Sequence, residues 1–306
     1  MASEPLLPTF AIVGAQKAGS TDLAASLAQH PDVYLPPDEV PYFEDPFFAA
    51  SDPAELGRAL EPGRGRRHLG IKRPDYLGRP ECAGHLAATV PDLRVLACLR
   101  DPVDRAVSAY DWYVKNRMLP LAPADEGLAR LLAGDLPPGH PHAAEVLDYG
   151  RYAHHLQRYL DRFPAEQVHV TLYEDLRAGP DALAAVHRFL GVAAHTPAPD
   201  TATNPGVYDP RRLRWLRAGD RFRFDWDDEE RYTWRPRRWR RPLAALPHLA
   251  VVGVDRLVLA RVLGNDRPPL SDDVRARLRA YYADDIADLS DLLARPVRWP
   301  PPNSGE

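Results

Sequence analysis

A short apolar run, a glycine-framed loop and a helical pattern form the stretch that most constrains the fold of this chain. Residues 10–13 are apolar, and apolar residues recur at helical spacing over residues 23–28. Gly14 and Gly19 allow the intervening backbone to turn tightly, and a helix beginning at Ser20 presents unpaired amides and the positive end of its dipole. The stretch therefore predicts a strand, loop and helix that together bind a phosphate-like anion.

The loop differs from a nucleoside-triphosphate P-loop in the position of its lysine. Ser20 stands where the P-loop motif has lysine, and Lys17 lies inside the loop instead. A lysine at that position points to a different atom of the bound anion, and no acidic second motif for magnesium follows. This argues against an ordinary kinase or ATPase. A nucleotide kinase, a non-catalytic nucleotide-binding module and a plain strand-to-helix turn stay open as alternatives.

Lysine is rare in this chain and therefore informative. Only Lys17, Lys72 and Lys115 occur among 39 basic residues. The compact ammonium of lysine and the planar fork of arginine are not equivalent, so a site that needs a point charge keeps its lysine. Lys17 and Lys72 both fall at the ends of predicted strands, where α/β proteins place their ligands.

A second anion-binding motif follows another predicted strand. Arg100 ends that strand, Asp101 is a good helix N-cap, and Pro102 suits the first helical position. Ser108 lies on the helix that follows, so Arg100 and Ser108 are predicted to hold a second phosphate. The alternative is a solvated surface arginine and an ordinary hydroxyl inside a helix.

Strands and helices alternate along the first two thirds of the chain. This order predicts an α/β fold whose central sheet is mainly parallel, has about five strands and is flanked by helices. Residues 119–147 show no clear period and predict an insertion or lid. Residues 243–263 are apolar enough to predict core packing or a substrate cover, with reversible membrane contact as a further alternative. The predicted strands cover residues 10–13, 33–35, 68–71, 93–99 and 167–172.

Charge and cysteine content limit the possible partners and compartments. The net charge of −4 and the pI of about 6.3 provide no global field that favours nucleic acid. Cys82 and Cys98 show no metal-ligand spacing and are expected to be buried thiols, which fits a reducing cytoplasm. No run reaches the roughly 18 apolar residues of a membrane span, so stable membrane insertion is not expected. The oligomeric state is left open.

Together the motifs resemble the sulfotransferases that use 3′-phosphoadenosine 5′-phosphosulfate (PAPS), a family that includes heparan sulfate enzymes and many bacterial proteins. The likeness covers residues 10–190 well and the end of the chain more weakly. The segments that carry it are residues 14–21, 38–43, 71–76, 100–110 and 281–299.

The resemblance implies a P-loop-like three-layer fold in a single sulfotransferase domain over residues 1–306. Residues 10–190 would form the nucleotide-binding core, and residues 191–306 a helical or lid portion. It also implies PAPS as co-substrate, no metal, and a hydroxyl of a small molecule or saccharide as acceptor. The protein is thus expected to be a bacterial, cytoplasmic enzyme of natural-product or glycan sulfation.

The same resemblance implies roles for individual residues. Lys17 would hold the transferring sulfuryl group, Lys72 would stabilise the developing charge from the acceptor side, and Glu39 would take the proton from the acceptor. The residues expected to bind the co-substrate are Gln16, Lys17, Ala18, Gly19, Ser20, Thr21, Arg100 and Ser108.

Two alternatives to the role of Glu39 stay open. Glu39 is either the base or one partner in a structural ion pair with Lys72 or a nearby arginine. The other alternative is a histidine base, for which the candidates are His30, His68 and His154.

Overall fold

A computed structural model gives the fold of the chain over residues 6–198, 208–220, 224–227, 233–236, 246–264 and 267–299. The chain divides into two compact units. The first contains Met1–Arg105, Asp148–Ala202 and Tyr282–Glu306, and the second contains Ala106–Leu147 and Thr203–Tyr281. The single domain with a nucleotide-binding core at residues 10–190 stays a prediction.

A five-stranded parallel sheet forms the centre of the first unit. Its strands are β1 (Phe10–Gly14), β2 (Val33–Tyr34), β3 (His68–Lys72), β4 (Arg94–Leu99) and β5 (Val168–Leu172). They are ordered β2-β3-β1-β4-β5, and every neighbouring pair is parallel. The α/β fold with a parallel central sheet is therefore confirmed. Because the strands are parallel, the loops after β1, β3 and β4 leave the same edge of the sheet.

The helices in chain order are α1 (Ser20–Ala28), α2 (Phe47–Ala50), α3 (Pro53–Leu60), α4 (Cys82–Thr89), α5 (Pro102–Lys115), α6 (Ala124–Leu132), α7 (Glu145–Asp148), α8 (Tyr152–Leu160), α9 (Tyr173–Ala178), α10 (Pro180–Leu190), α11 (Pro210–Asp220), α12 (Leu246–Val254), α13 (Ala260–Leu263) and α14 (Asp272–Leu292). A π-helical turn, Asp255–Leu259, joins α12 to α13, and β6 (Phe224–Asp227) pairs with β7 (Thr233–Pro236) as an antiparallel ribbon.

Alternating side chains of β1 pack against helices on opposite faces of the sheet. The first unit therefore has three layers, with the sheet between two layers of helices. Phe10 and Ile12 pack in an apolar cluster with residues of α1 and α10. Ala11 and Val13 pack on the opposite face with residues of α4 and α8. All four are completely buried. Burial on both faces explains why this strand is a continuous apolar run rather than an alternating one.

Two expectations for the second unit are corrected. The predicted insertion at residues 119–147 contains a regular helix, α6, which buries Leu128 and Leu131. A pair of buried residues three positions apart is too short a pattern to show a period in the sequence. Of the apolar segment predicted at residues 243–263, residues 246–263 are described and 243–245 lie outside the described residues; Leu257 is 64% exposed and Val262 is 74% exposed, so these two side chains do not pack in a core. No helix in the described ranges is both long enough and apolar enough to cross a membrane.

Candidate active site

The loop after β1 has the backbone shape of an anion site. The Ala15 amide donates to the Cys98 carbonyl of β4 at 2.7 Å, and the Ala18 amide donates to the Ala15 carbonyl at 3.2 Å. Lys17 and Gly19 adopt left-handed conformations with φ of 64° and 90°. Gly19 is the N-cap of α1 and makes no side-chain cap. The first amides of α1 have no acceptor within their own helix, so this end attracts an anion.

A tyrosine that the sequence analysis did not single out contacts both anion-binding motifs. A Cβ atom at Gly19 would overlap the Tyr173 ring, so only glycine fits against it. The Arg100 guanidinium lies 5.1 Å from the centre of the same ring, in cation–π geometry. The Tyr152 hydroxyl donates to the Arg100 carbonyl at 2.8 Å, which fixes the backbone after β4. Tyr173 therefore joins the loop of Gly19 to Arg100.

The lysine that ends β3 contacts both the anion loop and the predicted base. Lys72 Nζ lies 3.2 Å from Thr21 Oγ1 and 3.2 Å from Glu39 Oε1. The register of the sheet explains this proximity, because Lys72 pairs with Ile12 just before the loop. Three of the predicted site residues, from three separate segments, are thus brought together at one edge of the sheet.

Hydrogen bonds to β3 and to a buried tyrosine hold the backbone of the segment that carries Glu39. The Val40 amide donates to the Lys72 carbonyl at 3.2 Å. The completely buried Tyr76 accepts from the Phe43 amide at 3.2 Å and donates to the Val40 carbonyl. Burial raises the pKa of Tyr76 well above its usual value, so it acts as a neutral hydroxyl. The loop therefore holds Glu39 at a set distance from Lys72.

Arg73 is a second cation at the site, and it binds three carboxylates. Its guanidinium lies 2.9 Å from Glu39 Oε2, 2.6 Å from Glu44 Oε1 and 3.1 Å from Asp75 Oδ2. The Glu44 side chain is completely buried. Burial disfavours the charged guanidinium, but Asp75, Glu44 and Glu39 outweigh that effect and raise the pKa of Arg73. Glu39 therefore forms an ion pair with Lys72 and another with Arg73, as expected if its role is structural.

The other predicted co-substrate residues lie in different environments. Gln16 is buried and donates to Asp75 Oδ1 at 2.8 Å. Ala18 and Ser20 are also buried, whereas Thr21 is exposed. Ser108 is half-buried on α5, in the second unit. Its pairing with Arg100 on one phosphate stays a prediction.

Of the three histidine candidates, His68 and His30 are poorly placed to act as a base. His68 begins β3 and Lys72 ends it, so about 13 Å of strand separates them. His30 uses both ring nitrogens, with Nε2 3.0 Å from the Ala193 carbonyl and Nδ1 3.0 Å from the Asp32 amide. His154 Nε2 lies 2.8 Å from Arg158 Nη2 on α8. Glu39 contacts Lys72 directly, and its role as the base stays a prediction.

Comparisons with known proteins show similarity to sulfotransferases in both sequence and structure. A family model described as a sulfotransferase domain matches residues 85–204, which include Arg100, Ser108 and Tyr173. A crystal structure of a sulfotransferase from Alicyclobacillus acidocaldarius superposes with a TM-score of 0.66 at 25% identity, over 95% of this chain and 98% of the other. In sequence over residues 85–204 and in fold over most of its length, the chain is therefore similar to sulfotransferases.

The curated relatives that this chain matches include proteins named for their action on heparan sulfate. The human bifunctional heparan sulfate N-deacetylase/N-sulfotransferase 3 is 26% identical over 94% of this chain. The mouse heparan sulfate glucosamine 3-O-sulfotransferase 3B1 is 30% identical over 61% of it. The chain spans only 30% and 46% of the length of these two relatives.

The structure adds residues that the sequence analysis missed. Arg73 contacts the predicted residue Glu39, Tyr173 packs against Gly19, and Glu44 contacts Arg73. Arg73 directly follows Lys72, and that adjacency was the only available signal. In a chain that uses arginine for nearly every positive charge, it was too common to stand out.

Proposed function

We propose that this protein transfers the sulfuryl group of PAPS to a hydroxyl of a small-molecule or saccharide acceptor, with Glu39 as the general base. The observation that carries the proposal is the position of the Lys72 ammonium. It lies 3.2 Å from the Thr21 hydroxyl of the anion loop and 3.2 Å from the Glu39 carboxylate. A simple nucleotide-binding module has little use for a carboxylate beside a bound dianion.

The proposed reaction is an in-line displacement at sulfur. The acceptor oxygen forms a bond to sulfur while the bond from sulfur to the 5′-phosphate oxygen breaks. The proton of the acceptor passes to Glu39, and adenosine 3′,5′-bisphosphate (PAP) leaves with the bridging oxygen. Lys17 and Lys72 neutralise the charge that develops on the transferring group, while Ser20 and Thr21 hold the 5′-phosphate. No metal is required for these steps.

The contacts of Glu39 support its role as a base that is freed during the reaction. Arg73 holds Oε2 at 2.9 Å, and Lys72 holds Oε1 at 3.2 Å. Since the Glu39 side chain is 36% exposed, an acceptor hydroxyl has access to it. When Lys72 turns toward the sulfuryl group, Oε1 becomes available for the proton while Arg73 keeps the carboxylate in place.

We place the enzyme in the bacterial cytoplasm, with Arg100 and Ser108 on the 3′-phosphate. The buried free thiols of Cys82 and Cys98 support the reducing compartment. The names of the heparan sulfate relatives support a saccharide as one of the acceptors to test.

The test compares the wild type with Glu39→Gln and with a matched control, Glu55→Gln. Glu55 is an exposed glutamate that pairs loosely with Arg58 at 3.8 Å. Sulfation is read as a sulfate mass gain in an extract incubated with PAPS. Glu39→Gln should lower the rate by about a hundredfold or more because the amide accepts no proton, and Glu55→Gln should leave it unchanged.

Binding is measured separately by thermal shift with PAP in EDTA. All three proteins should be stabilised by PAP, since Glu39 is not expected to contact its phosphates. Stabilisation by ATP with magnesium but not by PAP would favour the kinase. PAP binding without any sulfation in the wild type would favour the non-catalytic module. Near-normal sulfation by Glu39→Gln would leave Glu39 a structural role.

A further inference from the structure

The second unit contains a cavity that the proposed reaction does not use. Its volume is about 480 Å³, within the range of small-molecule sites. The cavity is lined by Arg117, Leu119, Pro120, Leu121, His140, Arg214, Arg217 and Ala218. Among these lining residues, all in the described part of the chain, four are basic and none is Asp or Glu.

The basic residues come from separate segments that the fold brings to one wall. Arg214 and Arg217 are three residues apart on α11, so they share a face of that helix. Arg117 follows the end of α5, where its left-handed φ of 62° belongs to the helix cap: the Met118 amide donates to the Tyr113 carbonyl at 2.8 Å. Like charges gathered on a concave wall raise the local concentration of anions.

His140 also lines the cavity, and a hydrogen bond holds its ring in place. Its Nδ1 lies 3.1 Å from the Met118 carbonyl, so Nδ1 carries the hydrogen and donates it. The apolar part of the wall is formed by Leu119, Pro120, Leu121 and Ala218.

Arg217 also has a structural role, so its substitution would not test ligand binding alone. Arg217 Nη2 donates to the Leu119 carbonyl at 2.9 Å and to the Val114 carbonyl of α5. It therefore caps the end of α5, and its removal is expected to destabilise the unit. Arg214 is exposed and lies one turn earlier on α11, so it is the better probe of ligand binding.

We infer that this cavity is a binding site for a small organic anion: a sulfonate, sulfate, phosphate ester or carboxylate attached to an apolar body. The arginines bind the anionic group, and Leu119, Pro120, Leu121 and Ala218 contact the apolar body. The site lies entirely in the second unit and does not depend on the proposed sulfuryl transfer.

The probe for the test is 2-naphthalenesulfonate, whose carbon–sulfur bond a sulfuryl transferase does not cleave. It is titrated calorimetrically into the protein saturated with PAP, so that the nucleotide site is filled. The neutral 2-naphthalenesulfonamide has the same apolar body and serves as the ligand control. We expect the sulfonate to bind once per chain, more tightly than the sulfonamide, and more weakly as salt is raised.

Two matched pairs of variants locate the site. Arg214→Gln should weaken binding by about tenfold or more, the loss typical of one charged hydrogen bond. Arg211→Gln removes the same charge from the same helix, where Arg211 pairs with Asp209 at 2.9 Å, and should leave binding unchanged. Ala218→Glu puts a carboxylate on the wall and should abolish binding, whereas the neutral Ala218→Gln should retain it.

The melting temperature of each variant checks that it is folded. The proposal is overturned if the sulfonate does not bind, if it binds no better than the sulfonamide, or if the two members of each pair behave alike. A crystal of the complex gives an independent result. A sulfonate within hydrogen-bond distance of Arg214 or Arg117 supports the proposal, and a sulfonate elsewhere contradicts it.

Discussion

Replacing Arg73 by methionine tests whether burial sets the strength of the ion-pair network behind Glu39. The variant leaves the completely buried Glu44 carboxylate without the guanidinium that now binds it at 2.6 Å and 3.2 Å. Removing one partner of a buried ion pair costs about 3–5 kcal/mol because the remaining charge stays desolvated. The contact of Arg73 with the partly exposed Glu39 adds about 1 kcal/mol at most.

This loss is a large share of the stability of a typical protein and is readily measured. At roughly 2 °C per kcal/mol for a chain of this size, the melting temperature should fall by about 6–12 °C. Urea unfolding followed by circular dichroism gives the free energy of unfolding directly. Sulfation should also fall, since Glu39 Oε2 loses its donor.

The chain offers a matched control with the same geometry on the surface. Arg64 Nε lies 2.6 Å from Glu61 Oε1 and Arg64 Nη2 lies 2.8 Å from Glu61 Oε2, but both side chains are about half exposed. Arg64→Met should therefore leave the midpoint of unfolding unchanged within error. The double variant Arg73→Met with Glu44→Leu should recover part of the lost stability, because no buried charge is left alone. Equal losses in Arg64→Met and Arg73→Met would refute the reasoning.

Two further predictions concern the anion loop and pH. Gly19→Ala should weaken PAP binding by about tenfold or more, measured by calorimetry, because its φ of 90° disfavours a side chain and the Tyr173 ring occupies the space; unchanged affinity would contradict the loop geometry. Burial lowers the pKa of both His68 and His187, and the pKa of His187 is lowered further by its neighbours His30 and His195. Both histidines therefore bind a proton more readily in the unfolded chain than in the folded protein. The free energy of unfolding should fall as the pH drops through about 6.5, the histidine pKa of the unfolded chain. His187→Asn, which keeps an acceptor for the His195 amide, should make this fall smaller, and an unchanged pH dependence would refute the assignment.

The local elements at the start of the first unit were predictable from the sequence. The apolar run of β1, the glycines beside it and the helical spacing of α1 are all encoded within 20 residues. The predicted N-cap of α5 is also present, since the Val103 amide donates to Asp101 Oδ1 at 2.8 Å. The parallel direction of the strands then follows from the alternation of strands and helices. These features depend on backbone preferences and short-range spacing.

Irregular elements were harder to predict. The α9 helix begins directly after β5, with Tyr173 as its first residue, and has no buried residues to mark its apolar face. Its position nevertheless brings that tyrosine against Gly19 and Arg100. A six-residue helix without a buried face leaves almost no signal in sequence periodicity.

The sequence alone determined the glycine-framed loop with Lys17, the lysine that ends β3 and the loop that bears Glu39, because each is a local pattern of residue types. Only the tertiary structure decided that Lys72 contacts both Thr21 and Glu39, and that Arg73 binds Glu39, Glu44 and Asp75 together. Most of these contacts join residues about 30 to 50 positions apart. Their geometry depends on strand register, side-chain rotamers and the burial of charge, which only the packed fold defines.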